Sequence, residues 1–313
     1  GSKEGEGPLS GYFDRIIGDA MHGCTSWEQA ESKFMQDGII LAVEKSGFKK
    51  DEIDAVLAGD LLNQIIGTSF ALREINRPFI GLFGACSTFG LALGLSAMLV
   101  DGGFYTNTVA SASSHFCSAE KQFRFPLEFG SQRTPTASWT VTGNGAAVVS
   151  RSKTSNIRIT SYTVGKIVDL GISDVNNMGA AMAPAAVDTL ITHFRDTGRN
   201  ADYYDSIMTG DLGYIGRELT VKMAAEHGVH LDKRYSDCGI EIFDRDEQDT
   251  HNGGSGCGCA AVTYAGYLHK KLEKGDIKRL LLMPTGALLS PTSSQQGESI
   301  PGICHAVSIE RFG

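Results

Sequence analysis

The sequence predicts an α/β protein written twice, with two similar halves of mostly parallel strands covered by helices. Three observations carry this. First, Gly47-Phe-Lys-Lys-Asp-Glu-Ile-Asp-Ala-Val-Leu-Ala-Gly-Asp-Leu61 aligns without a gap on Gly198-Arg-Asn-Ala-Asp-Tyr-Tyr-Asp-Ser-Ile-Met-Thr-Gly-Asp-Leu212. Identities fall at Gly47/Gly198, Asp51/Asp202, Asp54/Asp205, Gly59/Gly210, Asp60/Asp211 and Leu61/Leu212. Second, short apolar strand patterns alternate with helical ones, the order that builds parallel sheets between helices. Third, 38 glycines stand against 8 prolines in 313 residues, a balance that suits tight turns and close backbone approach over proline-rich linkers.

In the first half, residues 34–45 carry helical apolar spacing and end at Gly47, where a left-handed cap is easily adopted. A short apolar strand then runs into Gly59-Asp60-Leu61. Gly81-Leu-Phe-Gly-Ala-Cys-Ser-Thr88 reads as strand, tight turn and the first turn of a helix rich in small residues (Gly90, Ala92, Gly94, Ala97). That helix ends near Gly102 and leads to a strand at 106–111. The second half repeats the plan: a helix at 184–195 closed by Gly198, a strand into Gly210-Asp211-Leu212, a helix from Cys259 with Ala260, Ala261, Ala265 and Gly266, a stop near Gly275, and a strand at 278–283. Small residues on both of these helices predict that they are central and packed closely between layers. The halves are residues 1–155 and 156–313. The chain opens in a Gly-, Lys- and Glu-rich segment where a first strand is expected, which reads as a shortened N-terminus, with Gly1-Ser2 either native or left from expression.

Composition removes several classes of function. With 28 basic and 36 acidic residues the net charge is -8 and no long basic run exists, so a nucleic-acid footprint is excluded. Seven scattered cysteines (Cys24, Cys86, Cys117, Cys238, Cys257, Cys259, Cys304) without a C-x-x-C pair predict reduced thiols and no disulfide framework. The longest nearly apolar stretch, residues 90–100, is too short to cross a bilayer, so any membrane association is expected to be peripheral.

Cys86 is the residue of most chemical interest. At a helix head its thiol faces unpaired N–H groups and the positive end of the helix dipole, which favour a thiolate or bind an anion. By itself the motif is weak, because buried free cysteine is common and a structural role is the commoner one. In the setting of the duplication, a cysteine at the head of the first half's central helix, together with the glycine-rich turn and strand Thr142-Gly-Asn-Gly-Ala-Ala-Val-Val149, resembles the thiolase and ketoacyl-synthase superfamily. The resemblance implies a duplicated, layered αβαβα fold with mixed, mostly parallel sheets, and a dimer of two copies of the chain.

Several runs are more closely similar to the stage V sporulation protein AD family, thiolase-like proteins of spore-forming bacteria. They are Leu57-Ala-Gly-Asp-Leu-Leu-Asn-Gln64, Leu82-Phe-Gly-Ala-Cys-Ser-Thr88, Ser113-Ser-His115, Met182-Ala-Pro-Ala-Ala186, Gly253-Gly-Ser-Gly-Cys257 and Thr285-Gly-Ala-Leu-Leu-Ser-Pro-Thr292. This resemblance implies a protein that binds dipicolinic acid (pyridine dicarboxylate), with or without calcium. It also implies help in moving that acid into the developing spore and releasing it in germination, beside other stage V sporulation membrane proteins on the cytoplasmic side of the spore inner membrane. It implies neither catalysis nor a cofactor. A condensing enzyme needs histidine or asparagine from the second half to trade protons and polarise a thioester. The loops that would supply them, Thr209-Gly-Asp211-Leu212 and Gly253-Gly-Ser-Gly-Cys-Gly-Cys259, contain no histidine, and the C-terminal turn Ser299-Ile-Pro-Gly-Ile-Cys-His305 departs from the superfamily pattern. The competing reading is an acyl-transferring enzyme that forms a thioester on Cys86.

A flat dicarboxylate needs oriented donors, a cationic partner or a metal ion, and a flat apolar wall. Candidates are the backbone N–H groups of Cys86, Ser87 and Thr88 and of Gly254, Ser255 and Gly256, with Cys257 beside them. To these are added the hydroxyls of Ser87, Ser114 and Ser255, the His115 imidazole and the Arg124 guanidinium. Asp60 and Asp211 pose an electrostatic problem beside a dianion: either they are structural, or they reach the site with a cation, in which case calcium strengthens binding. Cys257-Gly-Cys259 lacks nearby histidines and is not expected to hold a metal.

Overall fold

A computed structural model describes residues 1–123, 133–151 and 155–313. In the first half the elements are α1 (Ser2–Gly5), α2 (Trp27–Ser46), β1 (Ala55–Gly59), α3 (Ile66–Ile75), β2 (Phe79–Gly81), α4 (Thr88–Asp101), β3 (Asn107–Ser114), α5 (Phe116–Phe123), β4 (Trp139–Thr140) and β5 (Gly143–Ser150). The second half carries β6 (Ile157–Thr163), α6 (Met178–Thr197), β7 (Ser206–Gly210), α7 (Gly213–Glu226), β8 (Tyr235–Asp237), α8 (Cys238–Glu241), β9 (Gly254–Ser255) and α9 (Cys257–Val262). A π turn over Thr263–Leu268, α10 (His269–Lys274), β10 (Arg279–Ala287), α11 (Pro291–Gln295), β11 (Gly302–Cys304) and β12 (Ala306–Arg311) complete it.

Local chemistry sets the helix limits. Ser26 caps α2 by accepting from the Gln29 N–H, and Asn177 caps α6 by accepting from the Ala180 N–H. Both caps lie upstream of the helix starts expected from apolar spacing, because a capping side chain can begin a helix before its buried stripe does. Gly47 (φ 79°) and Gly198 (φ 67°) end these helices in the left-handed conformation, as the repeat predicts.

One sheet has the order β2-β1-β3-β5, with β1 parallel to β2 and β3 and with β5 antiparallel to β3. The other has the order β6-β12-β10-β7-β8, with β7 parallel to β8 and β10 and with β12 antiparallel to β10. Thus β8-β7-β10-β12 repeats β2-β1-β3-β5, and β6 is the added margin. The repeat extends to a side-chain device. Asp54 accepts from the N–H groups of Thr106 and Asn107 at 2.6 and 2.9 Å, and Asp205 accepts from those of Lys278 and Arg279 at 2.8 and 3.0 Å. Each ties the entry of its first strand to the neighbouring parallel strand.

The layers follow from which face each strand residue takes. Leu280 and Leu282 of β10 meet Phe89 and Leu93 of α4 in the central core, while Leu281 and Met283 face Met182 and Leu190 of α6 on the outer side. On the other sheet, Ala110 and Ala112 of β3 face the centre, and Val56, Ala58 and Val109 pack beneath Met35 and Ile39 of α2. The result is the expected αβαβα stack, with α4 and α9 between the sheets. Small residues permit that closeness: a Cβ on Gly94 would lie 2.2 Å from the Tyr162 ring, and one on Gly145 would lie 2.1 Å from the Ala261 carbonyl. A groove of about 730 Å³ follows β5, bounded by α2, the C-terminal end of α4 and the residues around Tyr264. Among the described residues, no helix is long and apolar enough to cross a membrane.

Candidate functional site

The site forms where the two central helices begin. Residues 84–88 make a tight turn in which Ala85 adopts φ 48°, and the helix starts at Thr88. Cys86 therefore lies in the tight turn ahead of the helix, and not in the first helical turn that the sequence spacing predicts, because the left-handed Ala85 delays the helix to Thr88. Its counterpart in the second half is Ser255, two residues before α9, and the two side chains meet with Sγ and Oγ 3.8 Å apart. The expected pairing of Cys86 with Cys259 holds at the helix ends near Gly102 and Gly275 but slides at the heads. The second central helix, lengthened by its π turn, is about one turn longer.

Many of the predicted donors are already engaged. Ser87 N–H and Thr88 N–H donate to the carbonyls of Gly84 and Ala85, both at 3.1 Å, and the hydroxyls of Ser87 and Thr88 donate to the same carbonyls at 2.6 Å. The Ser114 hydroxyl donates to Val141 O at 2.6 Å and accepts from Gly258 N–H at 2.9 Å. His115 bonds the Ala20 carbonyl through Nε2 at 2.8 Å and accepts the Cys117 N–H at Nδ1, with Trp27 and Phe34 against its ring. These side chains hold the turn, the sheet margin and the N-terminal segment together. Gly254 pairs with Trp139 in the short β4–β9 ladder, and the Cys257 thiol donates to the Ala85 carbonyl at 2.9 Å. Arg124 lies outside the described residues. Cys259 is buried in the central core, and no metal-binding cluster occurs among the described residues.

The matched aspartates have parted ways. Asp60, at the end of β1, accepts from Leu62 N–H at 2.7 Å, Thr68 N–H at 2.6 Å and Thr68 Oγ1 at 2.5 Å, and so fixes the loop into α3. In the second half that duty belongs to Asp237, which no repeat or spacing signals. It accepts from Leu212 N–H at 3.1 Å, Gly213 N–H at 3.0 Å, Gly239 N–H at 2.9 Å and Thr209 Oγ1 at 2.8 Å. Asp211 is released. It adopts φ 76°, is fully buried, and faces the Cys86 thiol and the Gly256 amide, yet neither carboxyl oxygen has a hydrogen-bond partner among the described residues.

A family model described as stage V sporulation protein AD matches residues 1–310. Stage V sporulation protein AD of Bacillus subtilis (strain 168) is 47% identical over 315 residues, covering 100% of this chain and 92% of that protein. The chain belongs to the stage V sporulation protein AD family. Among solved structures, acetamide-bound OleA of Xanthomonas campestris is similar with a TM-score of 0.61 at 12% identity, covering 90% of this chain and 81% of that one. The Acat5 thiolase of Ascaris suum in complex with coenzyme A has a TM-score of 0.58 at 12% identity, with 92% and 96% covered. For 3-oxoacyl-[acyl-carrier-protein] synthase III of Aquifex aeolicus the TM-score is 0.54 at 13% identity, with 86% and 80% covered. At these identities the likeness is one of fold, and it confirms the thiolase-like architecture.

In this member of the stage V sporulation protein AD family, the electrostatics of the helix head run against a thiolate. Burial, with the Asp211 carboxyl beside it, pushes the Cys86 thiol well up, outweighing the favourable helix end. Burial and the neighbouring Asp237 likewise push Asp211 well above the usual carboxylate range, and burial moves Asp237 up to about 6. His305, the histidine nearest in sequence to the superfamily's C-terminal turn, is buried, accepts the Gly165 N–H at Nδ1, and is pushed down to about 4 by burial. Its ring lies near Tyr162.

Proposed function

We propose that this protein binds dipicolinate at the meeting of the two central helices, as a step in loading the acid into the developing spore and releasing it in germination. It works without turning its ligand over. The observation that supports binding over turnover is the Cys86 neighbourhood. A nucleophile's turn is kept, but the buried group beside it is a carboxyl that raises the thiol's pKa, where an acyl-transferring enzyme needs a base that lowers it. Membership of a family named for sporulation supports the setting. In this reading the chain acts as a homodimer, held peripherally at the spore inner membrane by other stage V sporulation membrane proteins, and takes the acid free or as its calcium chelate.

Calorimetric titration with dipicolinate and with an isomeric pyridine dicarboxylate tests the claim. A clear preference for dipicolinate is expected, and equal affinity for the two rejects it. The second reading, acyl transfer through Cys86, draws on the left-handed Ala85 turn that presents the thiol. Intact mass after incubation with acyl-coenzyme A donors decides it: an adduct lost in Cys86→Ala would establish the enzyme.

A further inference from the structure

Among the described residues, Asp211 is a buried titratable group with neither carboxyl oxygen in a hydrogen bond. Its repeat partner Asp60 is saturated with three donors, and Asp237 has taken the equivalent work in the second half. A buried carboxyl whose oxygens approach the Gly256 amide and the Cys86 thiol without closing a well-formed hydrogen bond to either, held by a left-handed backbone that L residues seldom adopt, costs stability, and such costs collect at functional positions. Among the described residues, the titratable groups close enough to feel its charge are Cys86 from the turn before α4, Asp237 at the end of β8, Cys238 of α8, and Cys257 and Cys259 of α9. All are neutral or acidic. An ionised Asp211 would have no cation among them, and it would repel an arriving dianion.

The donor inventory points the same way. Among the described residues Ser87, Thr88, Ser114 and His115 are engaged, which leaves whichever of the mutually bonded Ser255 hydroxyl and Cys86 thiol is free to donate, the Gly256 amide and any proton on Asp211 to meet a carboxylate. We propose that Asp211 serves as a neutral carboxylic acid donating a hydrogen bond to one carboxylate of the bound dianion, so that a proton, in place of a metal cation, accompanies the ligand there. This rests on the dicarboxylate reading above. No bond is made or broken beyond the hydrogen bond; the proton stays on Asp211 and returns to solvent only if the acid ionises after release.

The test uses the full chain, dipicolinate as the probe and a strong chelator throughout. Titration compares the unaltered protein with Asp211→Asn, which keeps a donor in the same place, and Asp211→Ala, which removes it. Asn should bind nearly as well as Asp, and Ala should lose roughly tenfold or more. Difference infrared spectroscopy of the unaltered, loaded protein should show the carbonyl band of a protonated acid that loaded Asp211→Asn lacks. Asp211→Asn is nearly isosteric and assigns the band, so a failure of Asp211→Ala to fold does not remove the test. An ionised carboxylate in the loaded protein, an Ala variant that binds as tightly, or binding that appears only on adding calcium overturns the proposal while leaving dicarboxylate binding intact. No binding of dipicolinate by the unaltered chain, with or without calcium, removes both.

Discussion

Asp60 and Asp211 occupy matched places in a duplicated sequence and do opposite things. Asp60 answers two backbone donors and a hydroxyl at the head of α3, so removing it strands three buried donors at about 1–3 kcal/mol each, partly offset by removing a buried acid. Urea denaturation should show Asp60→Ala destabilised by about 2–4 kcal/mol and Asp211→Ala by far less. Equal losses would mean that Asp211 is structural too. The sequence announced the pair but could not tell the members apart. What separates them is a backbone torsion and a third residue, Asp237, that reaches in from β8 with no counterpart in the repeat. For the same reason Ser114 and His115 read as ligand donors in the sequence: a polar side chain after a buried strand looks available until its partners, Val141 and Ala20, arrive from distant segments.

At the scale of elements the repeat was highly legible, because a glycine closing a helix and an apolar run entering Gly-Asp-Leu are local signals. The helix starts were less so, since Ser26 and Asn177 act through single side-chain bonds outside the periodic stretch. The central helices were rightly expected to be close-packed, and α4 lets the strength of that packing be measured. Gly→Ala in an exposed helix gains up to about 1 kcal/mol. At Gly94 the added methyl would meet the Tyr162 ring from the opposing sheet, with α4 held on both sides. Overpacking should win, so Gly94→Ala is expected to lower stability by about 3 kcal/mol, read from the urea midpoint. A neutral or stabilising result would show that the halves slide apart easily.

The whole molecule carries several acids that folding buries. Glu31, Asp60, Asp211 and Asp237 are all pushed above their ordinary values by burial. A raised carboxyl favours the folded state most while it is protonated, so its contribution is full below the unfolded value and is lost as pH rises through the folded one. For Asp237 alone, a move from 3.8 to about 6 corresponds to about 3 kcal/mol lost between those pH values. Acids such as Asp14, Asp54 and Asp232 are lowered and act oppositely, but only toward more acidic pH. Stability should therefore be greater near pH 5 than near pH 7.5, measured by urea midpoints at fixed salt. A midpoint that climbs toward neutral pH would refute this balance.

The left-handed turn at Asp211 has a meaning over evolutionary time as well as in one molecule. Glycine adopts φ 76° freely and would remove a buried acid that has no hydrogen-bond partner among the described residues, so folding by itself gives no reason for aspartate there. In a lineage where the site fell out of use, that position is where drift toward glycine should begin, while Asp60, held by its three donors, should stay.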